Sequence, residues 1–202
     1  MNSMVDRAAA LLNGIEGMAG GDSIFSSYNG GVASQNTSTF LQRLPSLLAN
    51  IKPDIVVLHI YSPNDDLTDN GLATTRMAHA IAIESIIQSG AIPILSTGVP
   101  LRAGLTGFDA GRRATIEFWR KNNSVMSPGF RAKSRPKTNE KYAPKSGYTY
   151  IADTANATSG PVVANIAPWK SGYTVDDTHP SDLAISVMAN VIKDTILQIY
   201  GR

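Results

Sequence analysis

Residues 53–66 read Pro-Asp-Ile-Val-Val-Leu-His-Ile-Tyr-Ser-Pro-Asn-Asp-Asp, and the fold is read outward from them. Ile55-Val56-Val57-Leu58 is an unbroken apolar run rich in β-branched residues, entered through a Pro-Asp turn. Such a run suits a strand buried on both faces, in the middle of a parallel sheet. From Ser62 to Asp66 the residues turn small and polar. Ligands of open α/β sheets bind beyond the carboxyl ends of the strands. Asn64 and Asp65 are therefore expected at the lip of a central strand spanning 54–60.

On the amino side, residues 4–13 have high helix propensity, with Ser3 where an N-cap stands and Asn13-Gly14 as a stop. Residues 24–28 form a short candidate strand ending in Asn29-Gly30-Gly31, and a helix follows from Thr37 with Phe40, Leu41, Leu44 and Leu48 on one face. Pro45 is placed to kink or restart it. On the carboxyl side, a helix over 74–89 closes at Gly90, a strand follows at 92–96, and another helix covers 109–122. Residues 127–147 are polar and basic, a solvated excursion. A last strand at 148–152 and an irregular span over 154–174 precede a closing helix marked by Ala184, Val187, Met188 and Val191. Alternating strands and helices predict a single α/β domain over 1–202: a three-layer α/β/α sandwich with a mainly parallel, flavodoxin-like sheet.

Composition bounds the function. A net charge of +2 gives no reason to expect nucleic acid or an anionic membrane. The chain has no cysteine, which excludes disulfides, thiolate chemistry and cysteine-held metals. No apolar run approaches the roughly 18 residues that span a bilayer. The first twenty residues lack the pattern of a signal peptide, so compartment and oligomeric state stay open.

Of the three histidines, His59 lies in the apolar strand and reads as a hydrogen-bonded core residue, and His79 as a partly exposed helix residue. His179 lies in Val175-Asp176-Asp177-Thr178-His179-Pro180-Ser181, just before the last helix. A carboxylate three residues before an imidazole can accept its Nδ1–H and leave Nε2 free as a base. A capping turn with Ser181 as N-cap explains the segment equally well.

Three blocks in order, Asn29-Gly30-Gly31-Val32-Ala33-Ser34, Ser62-Pro63-Asn64-Asp65 and Asp176-Asp177-Thr178-His179-Pro180-Ser181, resemble the SGNH (GDSL-like) hydrolase family over nearly the whole chain. The resemblance implies an esterase with a serine nucleophile and no cofactor or metal. It assigns His179 as general base, Asp176 as its orienting acid, and Gly31 (N–H) and Asn64 (side-chain amide) as oxyanion donors. Ser62 replaces the usual glycine of the third block, and Asp177 stands where the family often has glycine.

The nucleophile block is the departure. Gly21-Asp22-Ser23 matches literally, but Ser23 lies eight residues before Gly31, and a parallel crossover needs roughly 10–12. Ser3, 28 residues before Gly31, has room and precedes a helix whose N-terminus stabilises negative charge. The strand expected ahead of Ser3 is missing from the sequence, so a segment upstream of Met1 is expected to supply it. The expected substrate is a small-molecule or glycan ester. O-acetylated carbohydrate is one reading, since Trp169 and Tyr173 near the histidine loop are of the kind that stack on sugar rings. The alternatives are a catalytically inactive SGNH-like binding or structural domain of a larger surface or phage tail protein, and a nucleotide-binding flavodoxin-like domain. The glycines lack the phosphate-binding spacing for the latter.

Overall fold

The computed structural model describes residues 3–15, 25–62, 64–66, 69–100, 106–122, 149–161 and 168–200. Ser23, Pro63 and the basic stretch 127–147 lie outside the described residues, as do Ile24 and Tyr148, the expected first residues of two strands. In chain order the elements are α1 (Met4–Asn13), α2 (Thr37–Ile51), β1 (Ile55–His59), α3 (Asp69–Gln88), β2 (Ile92–Ser96), α4 (Thr106–Asn122), β3 (Tyr150–Ala152), α5 (Thr154–Thr158) and α6 (Asp182–Ile199). The strands form one parallel sheet in the order β1-β2-β3, with Val57 opposite Ile94 and Leu95 opposite Ile151.

Strand alternation divides the core between two faces. Leu58 and Leu95 point to one face, where they pack with Leu44 and Leu48 of α2, Ile83 and Ile87 of α3, and Trp119 of α4. Ile92 and Ile94 point to the other, onto Ala8 and Leu12 of α1 and Ile192 and Ile196 of α6. The result is the expected α/β/α sandwich, with a sheet of three strands among the described residues. Among those residues no helix is long and apolar enough to cross a membrane.

Several expectations need correction. β1 is not central: it pairs only with β2 among the described residues, and Ile55, Val56 and Val57 are half-buried instead of enclosed on both faces. Residues 25–28 are extended but belong to no ladder. Instead, the Asn13 amide donates to Phe25 O at 2.9 Å and accepts from Phe25 N at 3.0 Å, taking the place of a neighbouring strand. α2 runs unbroken through Pro45, held by Leu44 and Leu48 in the core. α3 begins at Asp69 and α4 at Thr106, both earlier than periodicity suggests, and the span after 153 contains α5. In α6 the buried set is Ala184, Ile185, Met188, Ala189, Ile192, Thr195, Ile196 and Ile199. This face is wider than expected because α6 meets both α1 and β3.

Two histidines exchange roles. His79 is fully buried, its Nδ1 2.8 Å from Thr75 O and its Nε2 2.9 Å from His59 O. His59 instead shows surface, opening onto a groove beside β1.

Candidate active site

α1 and α6 run side by side with their N-termini at one end. Arg7, in the first turns of α1, donates from Nη2 to Asp182 Oδ1 at 2.6 Å and from Nη1 to Ser186 Oγ at 2.7 Å, both on the first turns of α6. Ser3 precedes one helix and His179 the other, so this clasp brings both to the same end of the molecule.

Ser3 is the N-cap of α1 and closes a capping box. Asp6 N donates to Ser3 Oγ at 3.2 Å, and Ser3 N donates to Asp6 Oδ2 at 2.9 Å. Ser27 Oγ donates to Asp6 Oδ1, and this bond, with those from Ser3, holds the Asp6 pKa below its usual value. The Ser3 hydroxyl proton remains available for donation.

At the end of β1, buried Asp65 accepts from Thr37 N at 2.7 Å, Thr37 Oγ1 at 2.6 Å and Ser62 N at 2.6 Å. It thereby ties the strand exit to the start of α2. Ser62 Oγ donates to Gln35 O at 2.7 Å, and exposed Asn64 reaches the same carbonyl through Nδ2 at 3.3 Å. Gly31, with Ser3 and Ser62, lines the groove beside β1, and its N–H donates to Asn29 Oδ1 at 3.0 Å.

Ahead of α6, Asp176 accepts from His179 N at 2.7 Å and Thr178 N at 3.0 Å, and its Oδ2 lies 2.7 Å from His179 Nδ1. These donors, the His179 backbone N–H foremost, lower the Asp176 pKa to about 2. The loop closes because Asp177 adopts φ 62°, in the left-handed region that glycine favours and aspartate tolerates better than most residues. Ser181 caps α6 as well, accepting from Ala184 N at 3.3 Å, so the cap and the Asp176–His179 pair coexist. His179 Nε2 is left free, on a side chain 72% exposed.

The structure thus pairs Asp176 with His179, and sets Ser3, Gly31 and Ser62 around one groove. No hydrogen bond joins Ser3 to His179, and the Ser3 N–H, Gly31 N–H and Asn64 amide each serve a protein acceptor. Sequence reasoning misses three supporting residues. Arg7 and Thr37 act through partners far away in the chain, and Gln35 contributes only a carbonyl, which any residue type carries. Trp169 is half-buried, in a bridge with Ser159, and the Tyr173 ring has Lys170 Nζ 5.8 Å from its centre.

Solved structures share this architecture. A protein provisionally named lipolytic, of the G-D-S-L family, from Desulfitobacterium hafniense matches with a TM-score of 0.65 at 14% identity, over 96% of this chain and 87% of that one. The chain has the GDSL-like hydrolase fold. A GDSL-like lipase from Bacteroides thetaiotaomicron matches with a TM-score of 0.57 at 19% identity, covering 81% of this chain and 72% of that one. A protein provisionally named an acylhydrolase from Bacteroides fragilis gives the same score and identity, with 81% and 71% covered. No family profile matches the sequence, nor does any curated protein. Against the GDSL-like fold, the sheet described here is reduced, with β1 at its edge.

Proposed function

We propose that this chain hydrolyses a carboxylic ester through an acyl-enzyme formed on Ser3. The observation that carries the reading is the Asp176–His179 pair at 2.7 Å, with Nε2 free, at the same end of the molecule as the Ser3 cap. In this reading Ser3 Oγ attacks the ester carbonyl carbon as its proton passes to His179 Nε2. The C–O bond to the alcohol then breaks, the alcohol leaves with that proton, and the acyl group remains on Ser3. Water, deprotonated by the same imidazole, attacks the acyl carbon and releases the acid. Asp176 keeps the imidazole oriented and offsets its positive charge.

The oxyanion is met by Ser3 N–H, Gly31 N–H and the Asn64 amide, which exchange Asp6, Asn29 and Gln35 for the developing charge. Such donors commonly align only around the substrate. The engaged state of all three is also the observation that favours a second reading, a binding domain of this fold without turnover.

A fluorophosphonate probe and a p-nitrophenyl acetate assay separate the two. Labelling lost in Ser3→Ala supports the esterase. Labelling lost in Ser23→Ala instead moves the nucleophile, and a chain that neither labels nor turns over is the binding domain. His179→Ala is expected to remove turnover. Asn64→Ala should lower kcat by about 10²–10³. Acetate release from an acetylated polysaccharide tests the carbohydrate ester.

A further inference from the structure

A groove of about 750 Å3 runs along the free side of β1. Its floor is Ile55 to His59, and its walls come from both helical layers: Ala8 and Leu12 of α1, Leu44 and Leu48 of α2, and Ile192 and Ile196 of α6. These walls are apolar, but the floor is not. Ile92 N donates to Asp54 O at 2.9 Å and Ile60 N to Ser96 O at 3.1 Å. Both backbone groups of a residue in a parallel strand point to the same side, and successive residues alternate. Val56 and Leu58 therefore turn their N–H and C=O to β2, while Ile55, Val57 and His59 turn theirs to the groove. His79 Nε2 meets His59 O. Among the described residues the others meet no donor or acceptor.

We propose that this groove is the seat of a fourth parallel strand, apolar on both faces, formed by polypeptide that leads into Ser3. A row of backbone donors and acceptors two residues apart, at the bottom of an apolar slot, is satisfied by another strand. A fatty acyl chain filling the same volume leaves them unpaired, at a cost of roughly 1–3 kcal/mol for each group. Walls on both faces call for apolar side chains on both sides of the incoming strand. Five residues at about 3.3 Å each match the length of β1. Direction selects the source. A strand parallel to β1 ends beside the carboxyl end of β1, where Ser3 lies on the rim of the groove and starts α1, which returns along the sheet. This proposal stands on the sheet edge and is independent of ester hydrolysis.

The test adds a five-residue Val/Ile strand, followed by a two-residue Gly-Asn turn, directly ahead of Met1 of the full chain. A control carries proline at the central strand position, and the unfused chain is the reference. Hydrogen exchange of single amides is the readout. The fused strand is expected to slow exchange at Val57 and His59 by about tenfold or more, with the proline control unchanged. The same strand as a free peptide and a fluorescent long-chain fatty acid form the other arms. Protection by the free peptide but not by the fusion overturns the assigned source and makes the groove a docking site for a separate polypeptide. Fatty acid binding without strand protection overturns the strand. So does a fusion that leaves both amides exchanging as before.

Discussion

Asp65 accepts three hydrogen bonds with both carboxylate oxygens, from donors 28 residues upstream and three residues upstream. Bonds to a charged acceptor are stronger than neutral ones, and losing the acceptor leaves Thr37, 6% exposed, with two donors unserved. Asp65→Ala is expected to cost about 3 kcal/mol in urea denaturation. Asp65→Asn should recover part of that, because its amide oxygen still accepts. In the ester reading both variants also lower kcat, since the Ser62–Asn64 turn loses its anchor. A D65A protein as stable as the parent would mean that the two segments hold each other without the carboxylate. Trp119 gives a contrasting case. It is 1% exposed, and its Nε1 has no hydrogen-bond partner among the described residues. Trp119→Phe should therefore change stability by less than about 1.5 kcal/mol, whereas Trp119→Ala should cost about 3–5 kcal/mol.

At the scale of elements, the clasp between α1 and α6 separates stability from alignment. Arg7 is 28% exposed in its side chain and Asp182 70%, and ion pairs this open contribute less than about 1 kcal/mol. Arg7→Ala should thus leave the denaturation midpoint nearly unchanged. In the ester reading it should cut kcat by about tenfold or more, because it releases the helix that carries Ser3 from the helix behind His179. Helix starts such as these are legible in sequence because their determinants are local: Ser3, Asn36 and Ser181 each cap within three residues. The Asp176–His179 turn is legible for the same reason. The place of β1 is not, because an apolar run of four reads alike at a sheet centre and beside an apolar groove. Its neighbour, not its own residues, decides. Residues 25–28 fail for the converse reason: they have strand composition, but Asn13 occupies the backbone groups of Phe25. His59 and His79 were separable only by the path of α3, which turns His79 inward onto the His59 carbonyl.

At the scale of the whole molecule, acid should act in two steps, because two kinds of group titrate differently in the folded and unfolded chain. Enclosure by protein around the groove, and then the nearby His79, push the His59 pKa from 6.5 down to about 4. Burial pushes His79 down as well, against the pull of the Thr75 and His59 carbonyls. As pH falls below 6.5 the unfolded chain takes up protons that the folded chain refuses, so stability declines from 6.5 and His59's share levels off near 4. The carboxylates work in the other range. Asp176, lowered from 3.8 to about 2 by the His179 and Thr178 donors, and Asp6, lowered chiefly by Ser27, stabilise the fold fully above 3.8. The Asp176 contribution is lost as pH falls through about 2. Urea midpoints measured from pH 8 to pH 2 should therefore hold level above 6.5, decline toward 4, and decline again below 3.8. His59→Gln places a neutral side chain at the groove and should flatten the first decline while leaving the second intact. Asp176→Asn should do the reverse. An H59Q protein with the parent's slope between 6.5 and 4 would assign that acid sensitivity to His79 alone.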